Sequence, residues 1–532
     1  MGAIVVVVAV LGVAGPASSA STTTAAAAPP TIDWGACTDP TLQQAGAVCG
    51  LLSVPLDYAH PTGTRIQLAV SMVRHTTPDS QYQGIMLVNP GGPGGSGLVY
   101  SFLGQFVPNN AGDAYDWIGF DPRGVGASAP SLTCDPDYFG PDRPDYQPST
   151  PALLDTWLSR TASYAAACKA QGAALLPHMS TLDSARDMDS IRAALGQPQL
   201  NYYGFSYGTY LGQVYATLFP QRVRRMVLDS SVDPHEVWYQ LGLQEDVAFE
   251  TNIKLWFGWV AKYDSVYHLG STEQAVEQLW YRERDALRGA PAGGVVGPDE
   301  FSDLFQIPGY DQSFWPSLAD AFAGWVHNAD AETLIGWYQA FDNPGDDNAF
   351  AVFNAVTCTD APAPGNWSTW QADADRVSAV APFFTWPSLW YSAPCLYWPA
   401  PPGRPTTVDG SRVAPALLVD EELDALTPFE DSLEVRRLFP RSVLLAEPGG
   451  TTHAGTLVGN ACVDDTIAGY LATGALPPRE PGDGPDALCD PLPQPLPDAA
   501  APHTAAPGVA APRVAGTLTE PNGRPLLLPR GE

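Results

Sequence analysis

Residues 204–208 read Gly-Phe-Ser-Tyr-Gly, a single serine with a glycine two positions to either side. Before it stands an apolar, aromatic run, "LNYY"; after it comes "YGTYLGQVYATLFP", which reads as a helix. A strand that enters a helix through one residue must bend sharply. Side chains two residues before or after that bend would collide with the neighbouring strand and helix, so glycine is required at both places. The bend lifts the Ser206 hydroxyl above the edge of a sheet. It also aims the first amides of the helix, and its positive end, at any negative charge that develops there.

The rest of the chain supplies the sheet. "GIMLVN" and "YDWIGF" read as short strands, each followed by a turn rich in glycine. "TLDSARDMDSIRAALG" places Leu182, Ala185, Met188, Ile191 and Leu195 along one helical face, with Gly196 as its stop. "VRRMVLD", "VAPALLVDEELDALTP" and "SVLLAEPGGTTHAG" return to strand and turn. Strands alternating with helices predict an α/β fold with a mostly parallel sheet covered by helices on both faces. Between 233 and 411 the pattern changes to long helical stretches, and this part carries 12 of the 15 tryptophans. It reads as a mostly helical cap inserted into the α/β core. The expected organisation is a leader over 1–20, a flexible lead-in over 21–32, the first part of the core over 33–232, the insertion over 233–411, the second part of the core over 412–489, and a Pro/Ala-rich tail over 490–532.

The leader, "MGAIVVVVAVLGVAGPASSA", is an apolar run ending in small residues, with Ser18 and Ala20 in a small-x-small cleavage pattern. It is too short to span a bilayer stably, so no stable membrane insertion is expected. No Lys or Arg precedes the run. The eight cysteines agree with an oxidising destination outside the cell or at its wall. Their order suggests nearest-neighbour disulfides: Cys37–Cys49, Cys134–Cys168, Cys358–Cys395 and Cys462–Cys489. A formal charge of −31 repels phosphate backbones and argues against nucleic acid as a partner. It suits a solvated surface, or attraction for cationic groups such as peptide amines.

A serine hydroxyl is a poor nucleophile at neutral pH unless a base takes its proton and an acid orients the base. In folds with this bend the chain order is serine, acid, histidine. After Ser206, "LLVDEELDALTP" offers Asp420, Glu421, Glu422 and Asp424, and "LLAEPGGTTHAG" offers His453. The other seven histidines precede the serine (His60, His75, His178), fall in the insertion (His235, His268, His327) or lie in the tail (His503). An oxyanion hole needs two backbone donors. One is the amide of Tyr207; the other falls in the loop "NPGGPGG", Asn89–Gly95. That loop has no P-loop lysine and the wrong spacing for a dinucleotide. No cofactor and no metal are expected.

"NPGGPGGSG", "GFDPRGVGAS", "YYGFSYGTYLGQVYATLFPQRVRRMVLDSSVDP", "LLVDEELDALTPFEDS" and "GNACVDDTIAGYLATGALP" together resemble the secreted tripeptidyl aminopeptidases. These belong with the prolyl-aminopeptidase group of α/β-hydrolase peptidases and end in a TAP-like segment. The resemblance covers roughly residues 34–489. It implies an α/β-hydrolase fold and a Ser-Asp-His triad of Ser206, Asp424 and His453, choosing Asp424 rather than Asp420. Alignment of "PGGPGG" with the family's oxyanion loop implies Gly92 as the second donor beside Tyr207. The implied substrates are peptides with a free N-terminus, and the alternative is a serine carboxylesterase or lipase on the same triad. An exopeptidase must also hold the substrate's α-ammonium. Glu245, Asp246, Glu250 and Asp360 are acids of the insertion available for it, each expected to be an ordinary solvated acid.

Overall fold

The computed structural model describes residue 2 and residues 31–497 except 142. The expected leader, most of the lead-in and most of the tail lie outside the described residues. The core is one ten-stranded sheet. Its strands are β1 (Ile32–Ala36), β2 (Val48–Pro55), β3 (Arg65–Val73), β4 (Ile85–Asn89), β5 (Asp116–Phe120), β6 (Leu200–Phe205), β7 (Val223–Asp229), β8 (Leu417–Glu421), β9 (Val443–Glu447) and β10 (Ala487–Leu488). They lie in the order β1-β2-β3-β5-β4-β6-β7-β8-β9-β10. From β5 to β10 every neighbouring pair is parallel. The six strands read from the sequence form the centre of this parallel part. The antiparallel meander β1-β2-β3 at one edge, and the short β10 at the other, were not anticipated. β1 takes in Ile32, the last residue of the expected lead-in.

Alternate residues of the central strands enter cores on opposite faces, as a sheet buried on both sides requires. Ile85 and Leu87 of β4 and Leu418 of β8 join one apolar cluster, whereas Met86, Val88, Leu417 and Val419 join another. The helix expected over 181–196 runs Thr181–Ala194, with the Ser180 hydroxyl capping it and Gly196 just past its end at φ +67°.

Between β7 and β8 lie ten α-helices and no strand among the described residues. This cap has its own core, built on Trp256, Trp280 and Trp315. Ala425 and Leu426, from the loop after β8, pack into that same core and tie cap to sheet. The chain past 489 also packs at first: Trp259 donates its ring N–H to the Pro495 carbonyl at 2.9 Å, and Gln312 donates to that of Leu492 at 3.1 Å. All four expected disulfides are present, each with Cα atoms 4.4–5.8 Å apart. No helix among the described residues is long and apolar enough to cross a membrane.

Candidate active site

The carboxyl ends of β4, β6, β7, β8 and β9 come level along one rim of the sheet, where parallel α/β sheets bind ligands. In register, Asn89 lies beside Gly204, Phe205 beside Asp229, and Glu421 beside Glu447. Ser206 stands at this rim, between β6 and the helix Tyr207–Leu218, with φ +56° and ψ −128°. Positive φ is strained for a residue with a Cβ, and the neighbourhood over-determines it. The Ser206 amide donates to the Asp229 carbonyl at 3.0 Å, and Thr209 donates to the Ser206 carbonyl from both its amide and its hydroxyl. The two flanking glycines are sterically required. A Cβ on Gly204 would lie 2.6 Å from the Gly208 carbonyl oxygen, and one on Gly208 2.6 Å from that of Asn89.

Because Asn89 ends β4 directly beside this bend, the loop that follows it is delivered to the serine. Gly92 has φ +110° and lines the same cavity as Ser206 and Tyr207. Gly94 packs so closely on Ala349 of the cap that a Cβ there would lie 2.5 Å from its carbonyl oxygen.

His453 is 3% exposed, and its Nδ1 lies 2.8 Å and 2.9 Å from the two carboxylate oxygens of Asp424. An ionised carboxylate only accepts, so Nδ1 carries the proton of this pair and Nε2 is left as the basic nitrogen. Asp424 is held in turn by the Leu426 amide (2.8 Å), the Thr427 amide (3.1 Å) and the Thr427 hydroxyl (3.0 Å). The other acids offered by this loop are engaged elsewhere. Asp420 accepts from the Ser432 hydroxyl, Glu421 from the Thr452 amide and Glu422 from the Gly449 amide.

The His453 loop is anchored to the end of β7, the residues that also hold Ser206. The Ala454 amide donates to the Ser230 hydroxyl, and the Thr456 amide and hydroxyl donate to the Asp229 carboxylate. Asp229 therefore receives the serine's amide on its backbone and the histidine's loop on its side chain. Neither Asp229 nor Thr427 was singled out in the sequence, although Thr427 stands in the quoted "LDALTP". Several acids behind this loop are buried. Burial pushes Asp229 up to about 6 and Glu447 to about 8, and raises Glu421 well above the usual carboxylate range.

Above Ser206 the cap closes a cavity of about 910 Å3, its open mouth included. Gly92, Ser206, Tyr207, Leu426 and Thr427 form its floor, and Trp238, Phe353, Trp370 and Leu389 give it apolar walls. Trp238 packs on the Tyr207 ring at 5.7 Å. Glu245 and Asp246 also line it, and no Lys, Arg or His is among its lining residues.

Three of the four acids expected to be solvated are instead buried: Asp246, Glu250 and Asp360. Packing of cap helices covers Asp246 and Glu250, and the core helix that starts at Thr181 covers Asp360. Glu250 pairs with Lys254 at 2.7 Å. Asp360 accepts from Thr181 and from the Trp238 ring N–H. Asp246 keeps one carboxylate oxygen without a hydrogen-bond partner. Among the described residues, the grouping with metal-ligating side chains is Asp233, His235 and Glu434. His235 is half exposed there and Glu434 already pairs with Arg437.

Comparison with known proteins agrees with this architecture. Residues 84–272 match the alpha/beta hydrolase fold family, and residues 381–483 match the family described as TAP-like protein. The chain is 41% identical over 478 residues to a tripeptidyl aminopeptidase of Streptomyces coelicolor, covering 88% of this chain and 87% of that protein. It is 30% identical to serine protease Hip1 of Mycobacterium tuberculosis (84% of this chain, 90% of that one). It is also 30% identical to a carboxylesterase B from the same species (84% and 89%).

Proposed function

Starting from a chain that belongs to the α/β-hydrolase family with a TAP-like C-terminal part, and is a serine hydrolase, we propose that it is a secreted exopeptidase releasing short peptides, tripeptides above all, from free N-termini. The observation that carries this reading is the convergence at one rim: a serine in strained backbone, a glycine loop beside it, and an imidazole paired with a carboxylate on a loop fastened to the same strand end. The aminopeptidase part is supported by the extent of the likeness to the Streptomyces enzyme, which runs through both core and cap.

In this reading Ser206 is the nucleophile. His453 Nε2 takes its proton as the hydroxyl attacks the scissile carbonyl, and Asp424 holds the ring in the required tautomer and stabilises the imidazolium. The amides of Gly92 and Tyr207 receive the oxyanion, assisted by the N-terminus of the helix Tyr207–Leu218. His453 then protonates the leaving amine, and water, deprotonated by the same ring, frees the acyl group. Residues 233–411 act as the cap that limits access to chain ends. Residues 1–20 direct export, in keeping with four disulfides.

Mass spectrometry of products from a panel of free and N-acetylated peptides tests this. Tripeptides should appear from free peptides, acetylated ones should survive, and Ser206→Ala should release nothing while melting as the wild type does. Internal fragments would show endopeptidase cleavage and overturn the exopeptidase reading, and ester turnover without any peptide turnover would favour the carboxylesterase reading that the third relative brings.

A further inference from the structure

We propose that Asp246 receives the α-ammonium of the substrate and thereby sets the released fragment at three residues. This rests on the reading of Ser206 as nucleophile and extends it to a residue that nothing so far has assigned.

The first support is chemical. Asp246 is 2% exposed, yet one of its carboxylate oxygens lacks a partner and its side chain borders the cavity that holds Ser206. A buried polar oxygen without a donor is costly, and a ligand that supplies a donor removes that cost. Burial pushes this carboxyl up to about 7, against the hydroxyls of Ser388 and Thr385, which act to lower it. A cation arriving beside it would draw it back to the ionised form. The cavity supplies no cation of its own: Glu245 and Asp246 are its charged lining residues. Such a chamber suits an ammonium and repels a carboxylate, so the substrate end it accepts is the amino end.

The second support is length. The helix Tyr239–Lys262 forms one wall, and Tyr239, Gly242 and Asp246 all line the cavity, as spacings of three and four on one helical face allow. The helix starts just after Trp238, which packs on Tyr207 next to the nucleophile. At 1.5 Å per residue, Asp246 lies about 12 Å along the helix from Trp238. Extended peptide advances about 3.3–3.6 Å per residue, so three residues span about 10 Å. With a hydrogen bond of about 2.9 Å from the ammonium to the carboxylate, three residues reach about 13 Å, against about 10 Å for two and about 16 Å for four, so three match the distance to Asp246 best.

The test uses the full-length protein with trialanyl p-nitroanilide, its N-acetyl form, the dialanyl and tetraalanyl homologues, and p-nitrophenyl acetate, which has no amine and reports on Ser206 alone. Wild type should prefer the free trialanyl substrate to its acetylated form and to both homologues by at least about tenfold. In Asp246→Asn, kcat/KM for the free trialanyl substrate should fall by about 100-fold, mostly through KM. The preference for free over acetylated substrate should collapse towards one, with ester turnover changed only a few-fold. An unchanged free-to-acetylated ratio in Asp246→Asn overturns the assignment. A wild-type preference peaking at two or four residues overturns the ruler without needing any variant. Ester turnover with no nitroanilide hydrolysed in wild type would instead overturn the peptidase reading, and that pattern is distinct from the other two.

Discussion

Gly208→Ala tests how the bend at Ser206 serves chemistry. A Cβ at this position would lie 2.6 Å from the Asn89 carbonyl oxygen and 2.8 Å from its side-chain oxygen, where ordinary contact begins at 3.4 Å. The helix and the end of β4 must therefore part by roughly 0.8 Å, and the atoms in the way include backbone that cannot rotate aside. One side of this gap carries Tyr207, the other the loop to Gly92, so the displacement falls between the two proposed oxyanion donors. Such donors act within 2.7–3.1 Å of the oxygen, and losing one costs about 10²–10³ in kcat. Overpacking by one methyl costs about 1–3 kcal/mol of stability. Gly212→Ala is the matched control. Its Cβ would meet the Tyr202 ring at 2.5 Å and Leu228 at 3.2 Å, behind the same helix and away from the loop. Both variants should lower the urea midpoint to a similar degree, while kcat on a peptide nitroanilide should fall by the stated factor only in Gly208→Ala. Equal loss of kcat in the two, or a destabilised Gly208→Ala with wild-type kcat, would refute the reasoning.

Asp424→Asn should lower kcat by about 10⁴ by presenting the wrong tautomer of His453, whereas Asp420→Asn, whose carboxylate faces Ser432, should act mainly on stability. Steady-state kinetics and melting curves on the pair decide whether the acid is assigned correctly. Stability should fall as pH rises. Burial pushes Glu447 and Asp431 up to about 8 from ordinary values of 4.5 and 3.8. The folded protein thus keeps protons that the unfolded chain has released, from about pH 4 upward. Urea midpoints should drop steadily between pH 5 and 8, and a midpoint that rises over that range contradicts the burial of these two acids in the neutral form.

Some of this was legible residue by residue. The bend, its two glycines and the strand and helix around it are local, since steric conflict between near neighbours is written in a five-residue pattern. The same holds for the central strands, whose apolar runs are buried on both faces, and for the helix stopped by Gly196. The outer strands β1 and β2 were missed because neither carries a run buried on both faces: β1 has only half-buried and exposed positions, and β2 buries only Leu52 and Val54. The buried acids of the cap were misread for a related reason. Asp246, Glu250 and Asp360 are polar letters in helical stretches, which ordinarily face water, and only packing of the cap helices on one another and, for Asp360, on the core helix that starts at Thr181 removes that water.

Which acid meets His453 belongs to the same class of fact. Asp420, Glu421, Glu422 and Asp424 lie within five residues, and counting along the chain cannot rank them. The turn after β8 does so: the amides of Leu426 and Thr427 hold Asp424 against the imidazole and the strand register turns Asp420 towards Ser432. Local order along the polymer therefore decided that a strained serine, a glycine loop and a later histidine exist at strand ends. Association of segments tens to hundreds of residues apart decided which oxygens and nitrogens touch, and which carboxyls are stripped of solvent above them, because distance through space and exclusion of water are properties of the packed chain alone.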